Sequence, residues 1–131
     1  MLVGRIGFLA MVGGLSLLWS GCSSDSDGQV ATPSDGTALA SLNGDQQGSV
    51  CDWLAQQNGG YGRTLTCPGK DPTSVWSDQQ ACKADLGPVF ESCKDATVGQ
   101  MKACTSKTAA APCESSALVS AECKALDAAC G

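Results

Sequence analysis

Histidine is missing from all 131 residues. Its absence removes the commonest general base, the commonest proton shuttle and the commonest zinc or copper ligand. Bases are scarce as well: eight Lys and Arg face 13 Asp and Glu, for a formal charge of −5. Lys70, Lys83, Lys94, Lys102, Lys107 and Lys124 stand singly along the chain, with no basic cluster. An acidic chain of this kind is a poor partner for nucleic acid. No Cys-x-x-Cys occurs, and every gap between cysteines after Cys22 holds six or more residues. Structural zinc uses closely spaced ligands, and low-pKa redox thiols usually sit in such a pair or beside a His. No metal and no cofactor are therefore expected. The glycines between Asn58 and Arg63 are not followed by Lys-Ser or Lys-Thr, so a turn is a better reading there than a phosphate loop.

What the chain has instead is cysteine, nine residues of it. Cys22 stands apart from the other eight. It closes an apolar run from Ile6 to Trp19, preceded by Arg5 and followed by Ser20-Gly21. A basic start, an apolar middle and small residues at the end make an export signal. The run is too short for the ~20 residues that span a bilayer. Ser20-Gly21-Cys22, with Leu18 just upstream, resembles the lipobox of bacterial lipoproteins; Trp19 stands where that pattern usually has Leu. The resemblance implies cleavage between Gly21 and Cys22, a thioether lipid on the Cys22 sulfur and a fatty acyl group such as palmitate on the new amino terminus. It places the protein in the cell envelope, held to a membrane by that lipid. Ser23, where Asp would signal inner-membrane retention, points to the outer membrane. Removing residues 1–21 takes Arg5 away and leaves seven bases against 13 acids, a charge of −6.

The other eight are Cys51, Cys67, Cys82, Cys93, Cys104, Cys113, Cys123 and Cys130. An even set in a short exported chain reads as four disulfides. Parity supports a separate role for Cys22, since only without it does every cysteine find a partner. Eight cysteines allow on the order of a hundred connectivities. Cys82, Cys93 and Cys104 are spaced by eleven, close to three helical turns. If helices on either side of Cys93 pack antiparallel, Cys82 and Cys104 face one another, which makes Cys82–Cys104 the expected bridge.

Three segments follow: a signal peptide at 1–21, a lipidated disordered tether at 22–48 and a cysteine-rich domain at 49–131. The tether is rich in Ser, Asp, Gly and Gln, too polar to offset its chain entropy, with a reach of roughly 25–30 Å as a coil. The domain is expected to be all-α, a small disulfide-stapled bundle of short helices with long irregular loops. A helix from Val50 to Gln57 would start at Ser49 and stop at Asn58-Gly59-Gly60. Ser77-x-x-Gln80 and Thr97-x-x-Gln100 have the capping-box pattern. The first helix would break or restart at Gly87-Pro88, and the second would run to about Lys107. Glu114 to Cys130 is helical in composition, with Ser120 able to begin a final helix. Arg63 to Thr66 is the one strand signal. Large apolar residues are few, Leu118 and Val119 among them. So thin a core is marginal without staples.

Function is less legible. Asp52, Asp71, Asp78, Asp85 and Glu91 supply carboxylates, as any acidic surface does, and no catalytic residue stands out. Trp53, Tyr61 and Trp76 are the candidate contact residues, able to anchor the core or to meet a protein or glycan. With the Cys22 signal, the polar tether and the segment Cys82…Cys93-x3-Thr97-Val98-Gly99…Cys104, the chain resembles small cysteine-rich lipoproteins of myxobacteria, most of which have no assigned activity. The expectation is a lipid-anchored envelope protein whose domain binds or supports and is not an enzyme. A small surface-displayed enzyme or enzyme inhibitor is the alternative.

Overall fold

The computed structural model describes residues 31–131. The expectations for the signal segment, Cys22 and the first part of the tether lie outside that range. The elements in order are a 3-10 turn at Leu39–Ser41, α1 (Gly44–Gln57), β1 (Thr64–Leu65), β2 (Thr73–Ser74), α2 (Gln79–Ser92), α3 (Val98–Ala110), a 3-10 turn at Ser115–Val119 and α4 (Ala121–Cys130). The architecture is the expected stapled helical bundle. Helix α1 packs on α2 and α3, and α3 packs on α4.

The folded part begins well before residue 49, and this corrects the expected boundary. Asn43, not Ser49, starts α1: its side chain accepts from the Asp45 and Gln46 amides, and Gln46 returns a bond to the Asn43 N–H. Ser49 lies buried inside the helix. Upstream, residues 35–39 run beside 96–99. The Leu39 amide donates to Ala96 O (2.9 Å), Val98 to Thr37 O (2.9 Å) and Gly99 to Asp35 O (2.8 Å). Gly99 permits that approach, since a Cβ there would stand 2.9 Å from Asp35 O. Leu39 (0% exposed) and Leu42 (6%) then reach the core. Two leucines and a borrowed backbone ladder offset the entropy that the polar composition alone could not.

Helix α1 ends where expected, in a Schellman motif. Gly60 N–H bonds Ala55 O (2.8 Å) and Gly59 N–H bonds Gln56 O (3.1 Å), with Gly59 at φ 90°, a region costly to residues with a Cβ. The strand signal at 63–66 becomes β1, paired antiparallel with β2 in the register Thr64–Ser74 and Leu65–Thr73. Helix α2 is capped by Asp78, one residue after the expected Ser77. Asp78 Oδ1 accepts from the Ala81 amide (2.8 Å), while Ser77 Oγ donates to Asp78 Oδ2 (3.1 Å). Contrary to expectation, α2 runs through Pro88 to Ser92. The residue before a proline resists the helical region partly through its Cβ; Gly87 has none. Phe90, fully buried, then holds the last turn against the core. Thr97 and Gln100 form the expected capping box, and Ser120 caps α4 through the Cys123 amide (3.3 Å).

The core joins Leu39, Leu42, Val50, Leu54, Phe90, Cys93, Ala96, Val98 and Met101. Leu118 and Val119 do not belong to it; they are 65% and 61% exposed. All eight domain cysteines are paired: Cys51–Cys82, Cys67–Cys113, Cys93–Cys130 and Cys104–Cys123. Cys82–Cys104 is therefore not a bridge. Cys82 turns inward toward α1 and Cys104 toward α4, because α2 and α3 pack on those helices instead of facing each other across Cys93. The four closed loops span 31, 46, 37 and 19 residues.

Candidate functional site

The β1–β2 hairpin is extended by two backbone bonds, Val75 N–H to Arg63 O and Gly62 N–H to Trp76 O, each 2.7 Å. They bring Trp76 from the end of the hairpin onto the flank of α2. Part of the indole packs against the core. Its Nε1–H donates to Asp85 Oδ2 at 3.0 Å, which sets the orientation of the ring. Beside it lies an open cavity of about 290 Å³, lined by Asn58, Leu65, Thr73, Ser74, Val75, Trp76 and Asp85. Trp76 thus serves as core anchor and cavity wall at once. Asp85 is its partner across nine residues; helical periodicity alone places no aromatic and carboxylate together at that spacing.

Tyr61 and Trp53 occupy the neighbouring surfaces. Tyr61 Oη donates to Asp52 Oδ1 (2.8 Å), and Gln79 Nε2 donates to Asp52 Oδ2 (2.8 Å). Asp52 therefore clasps the loop after α1 and the start of α2 to α1 itself. Burial raises the Tyr61 hydroxyl above the ordinary tyrosine range, and the accepting Asp52 carboxylate adds to the rise. Trp53 is half-buried against the core. The Lys102 ammonium lies 5.7 Å from its ring centroid and pairs with Asp35 at 2.8 Å, tying residue 35 to α3. Such a half-exposed pair contributes at most about 1 kcal/mol.

A second, larger groove of about 590 Å³ runs between the end of α2, α3 and α4. Val89, Leu118, Val119 and Leu126 line it together with the Cys93–Cys130 and Cys104–Cys123 bridges, and Lys124 and Asp127 stand on its rim. The apolar pair Leu118-Val119 was visible in the sequence. Its exposure was not, because it follows from where the 3-10 turn that contains the pair, Ser115–Val119, sits against α3 and α4.

The carboxylates divide by task. Asp52 and Asp85 are hydrogen-bond acceptors for Tyr61 and Trp76. Asp78 is a cap, and the Ala81 amide, followed by the Ser77 hydroxyl, holds it below the usual carboxylate range. Glu122 in α4 is lowered by its own backbone amide and then by Lys107, whose ammonium is 3.3 Å away. Among the described residues no three His, Cys, Asp or Glu side chains gather as a metal site, and all the cysteines are in disulfides. Comparisons with protein-family models, curated proteins and solved structures find no match for this chain.

Proposed function

We propose that this chain is a lipid-anchored protein of the bacterial cell envelope whose stapled helical domain binds another envelope component and carries out no reaction of its own. The observation that carries the anchor is one of pairing. Four disulfides use every cysteine from Cys51 to Cys130. Cys22 is thus the one cysteine of nine outside the set, and it follows Ser20-Gly21 at the end of an apolar run. A lipobox needs that layout. Each buried methylene of an acyl chain contributes about 0.8 kcal/mol, so two or three chains hold a small protein firmly. The binding role is supported by the duties of the polar groups. Asp78, Thr97 and Ser120 cap helices, Asp52 and Asp85 hold Tyr61 and Trp76, and the eight domain thiols are consumed in crosslinks.

The test is fractionation with lipid labelling. Wild type expressed in a bacterium with lipoprotein-processing enzymes is expected in the membrane fraction, carrying labelled palmitate and beginning at Cys22. Cys22→Ala is expected in the soluble envelope fraction without label. A Cys22→Ala protein that stays with membranes would refute the anchor.

A further inference from the structure

We propose that the cavity beside Trp76 is a contact site for a neutral sugar ring, which names the ligand class for the binding role proposed above and rests on that role. Three features point there. First, the aromatic wall is rigid. The indole is fixed on one side by the core and at its edge by Asp85, so little freedom is lost when a flat ligand face stacks on it. A pyranose offers such a face in its axial C–H groups. Second, hydrogen-bonding capacity is left over around the ring. Asp85 Oδ1 accepts no bond within the described residues, while Asn58 uses its amide NH₂ on Leu54 O (2.9 Å) and keeps its carbonyl oxygen unengaged. Among the described residues Thr73 makes no side-chain bond, and Ser74 meets only Thr64 at 3.4 Å. Hydroxyls, an amide and a carboxylate edge suit vicinal sugar hydroxyls, which donate and accept in turn. Third, size and charge agree. About 290 Å³ is at the small end of ligand clefts and matches one ring more than an extended chain. Asp85 is the charged group of the lining and no base accompanies it, so an anionic sugar is disfavoured.

The experiment is calorimetric titration of the detergent-solubilised full chain with chitotriose, a neutral oligosaccharide of N-acetylglucosamine. Saturable binding, little changed by raising salt, is expected. Trp76→Ala should weaken it at least tenfold, Asp85→Asn severalfold, and Trp76→Phe less than Trp76→Ala. Leu118→Ser, in the other groove, should bind as wild type does. Circular dichroism checks the fold of each variant; should Trp76→Ala be unfolded, Asp85→Asn and Thr73→Val decide. No binding by folded wild type to chitotriose or to cellotriose would overturn the site. So would binding undiminished in a folded Trp76 or Asp85 variant. Salt-sensitive binding of an oligolysine probe in place of sugar would assign the carboxylate to a cationic peptide and also reject the proposal. Failure here leaves the anchor standing, since Cys22 fractionation reads that separately.

Discussion

The chain from Leu39 to Met101 and the chain from Lys102 to Gly131 are stabilised by different physics. The first stretch supplies the core: Leu39, Val50, Phe90 and Val98 are at most 1% exposed. The second adds Cys123 as its one buried hydrophobic residue and leaves Leu118 and Val119 largely in solvent. It is held by three disulfides, Cys67–Cys113, Cys93–Cys130 and Cys104–Cys123, and by the Lys107–Glu122 pair. Burial organises the first part and crosslinking the second. A small domain can therefore extend its surface beyond what its apolar content would support, and an apolar groove can stay open along α4.

Full reduction gives the largest effect. Four disulfides at about 2–4 kcal/mol each together match or exceed a typical net stability of ~5–15 kcal/mol. Reduced protein is expected to lose its native circular-dichroism spectrum and expose eight thiols from the domain. A reduced sample that kept the spectrum would show that the core suffices alone. Next comes Phe90→Ala, expected to cost about 3–5 kcal/mol in denaturant unfolding, against less than about 0.5 kcal/mol for Leu118→Ser. Equal costs would erase the contrast between the two stretches. Replacing both Cys104 and Cys123 by Ala should cost about 2–4 kcal/mol. Amide exchange should speed up in α4 before it does in α1; uniform acceleration would mean the two parts unfold as one.

The smallest effect is alkaline. Tyr61 is the single tyrosine, and its folded-state pKa lies above the unfolded value. The group's contribution is thus fully present below the unfolded pKa of about 10 and is lost as pH rises toward the folded one. Tyrosinate absorbance should appear late in the native protein and on schedule in denaturant. Asp52→Asn should bring the native titration earlier. A native titration matching the denatured one would remove Asp52 as a clasp between α1 and the following loop.

Local chemistry was readable along the chain. Thr97 with Gln100, Ser120, and Asn58-Gly59-Gly60 each act within a few residues of themselves, so their sequence pattern nearly is their structure. Asn43-x-x-Gln46 carried the same capping signal, but the polar composition around it hid the start of α1. At Asp78 the cap moved by one residue: its carboxylate takes the Ala81 amide, and the Ser77 hydroxyl donates to that carboxylate instead of capping the helix itself. At Pro88 a break was expected from the missing donor, and tertiary burial of Phe90 carried the helix onward. Of the candidate site, Trp76 was legible as an aromatic in a poor core, whereas Asp85 as its partner was not.

The sequence by itself determined that eight cysteines pair, that helices dominate, and that Cys22 sits apart behind an apolar run. Count, capping and composition are local properties and need no coordinates. Tertiary structure alone decided which cysteines pair, that residues 35–42 join the domain, and that Trp76 meets Asp85 at the edge of a cavity. Each of those rests on side chains or backbone strands from separate segments, and their meeting is set by how the helices pack, for which no short-range pattern is diagnostic.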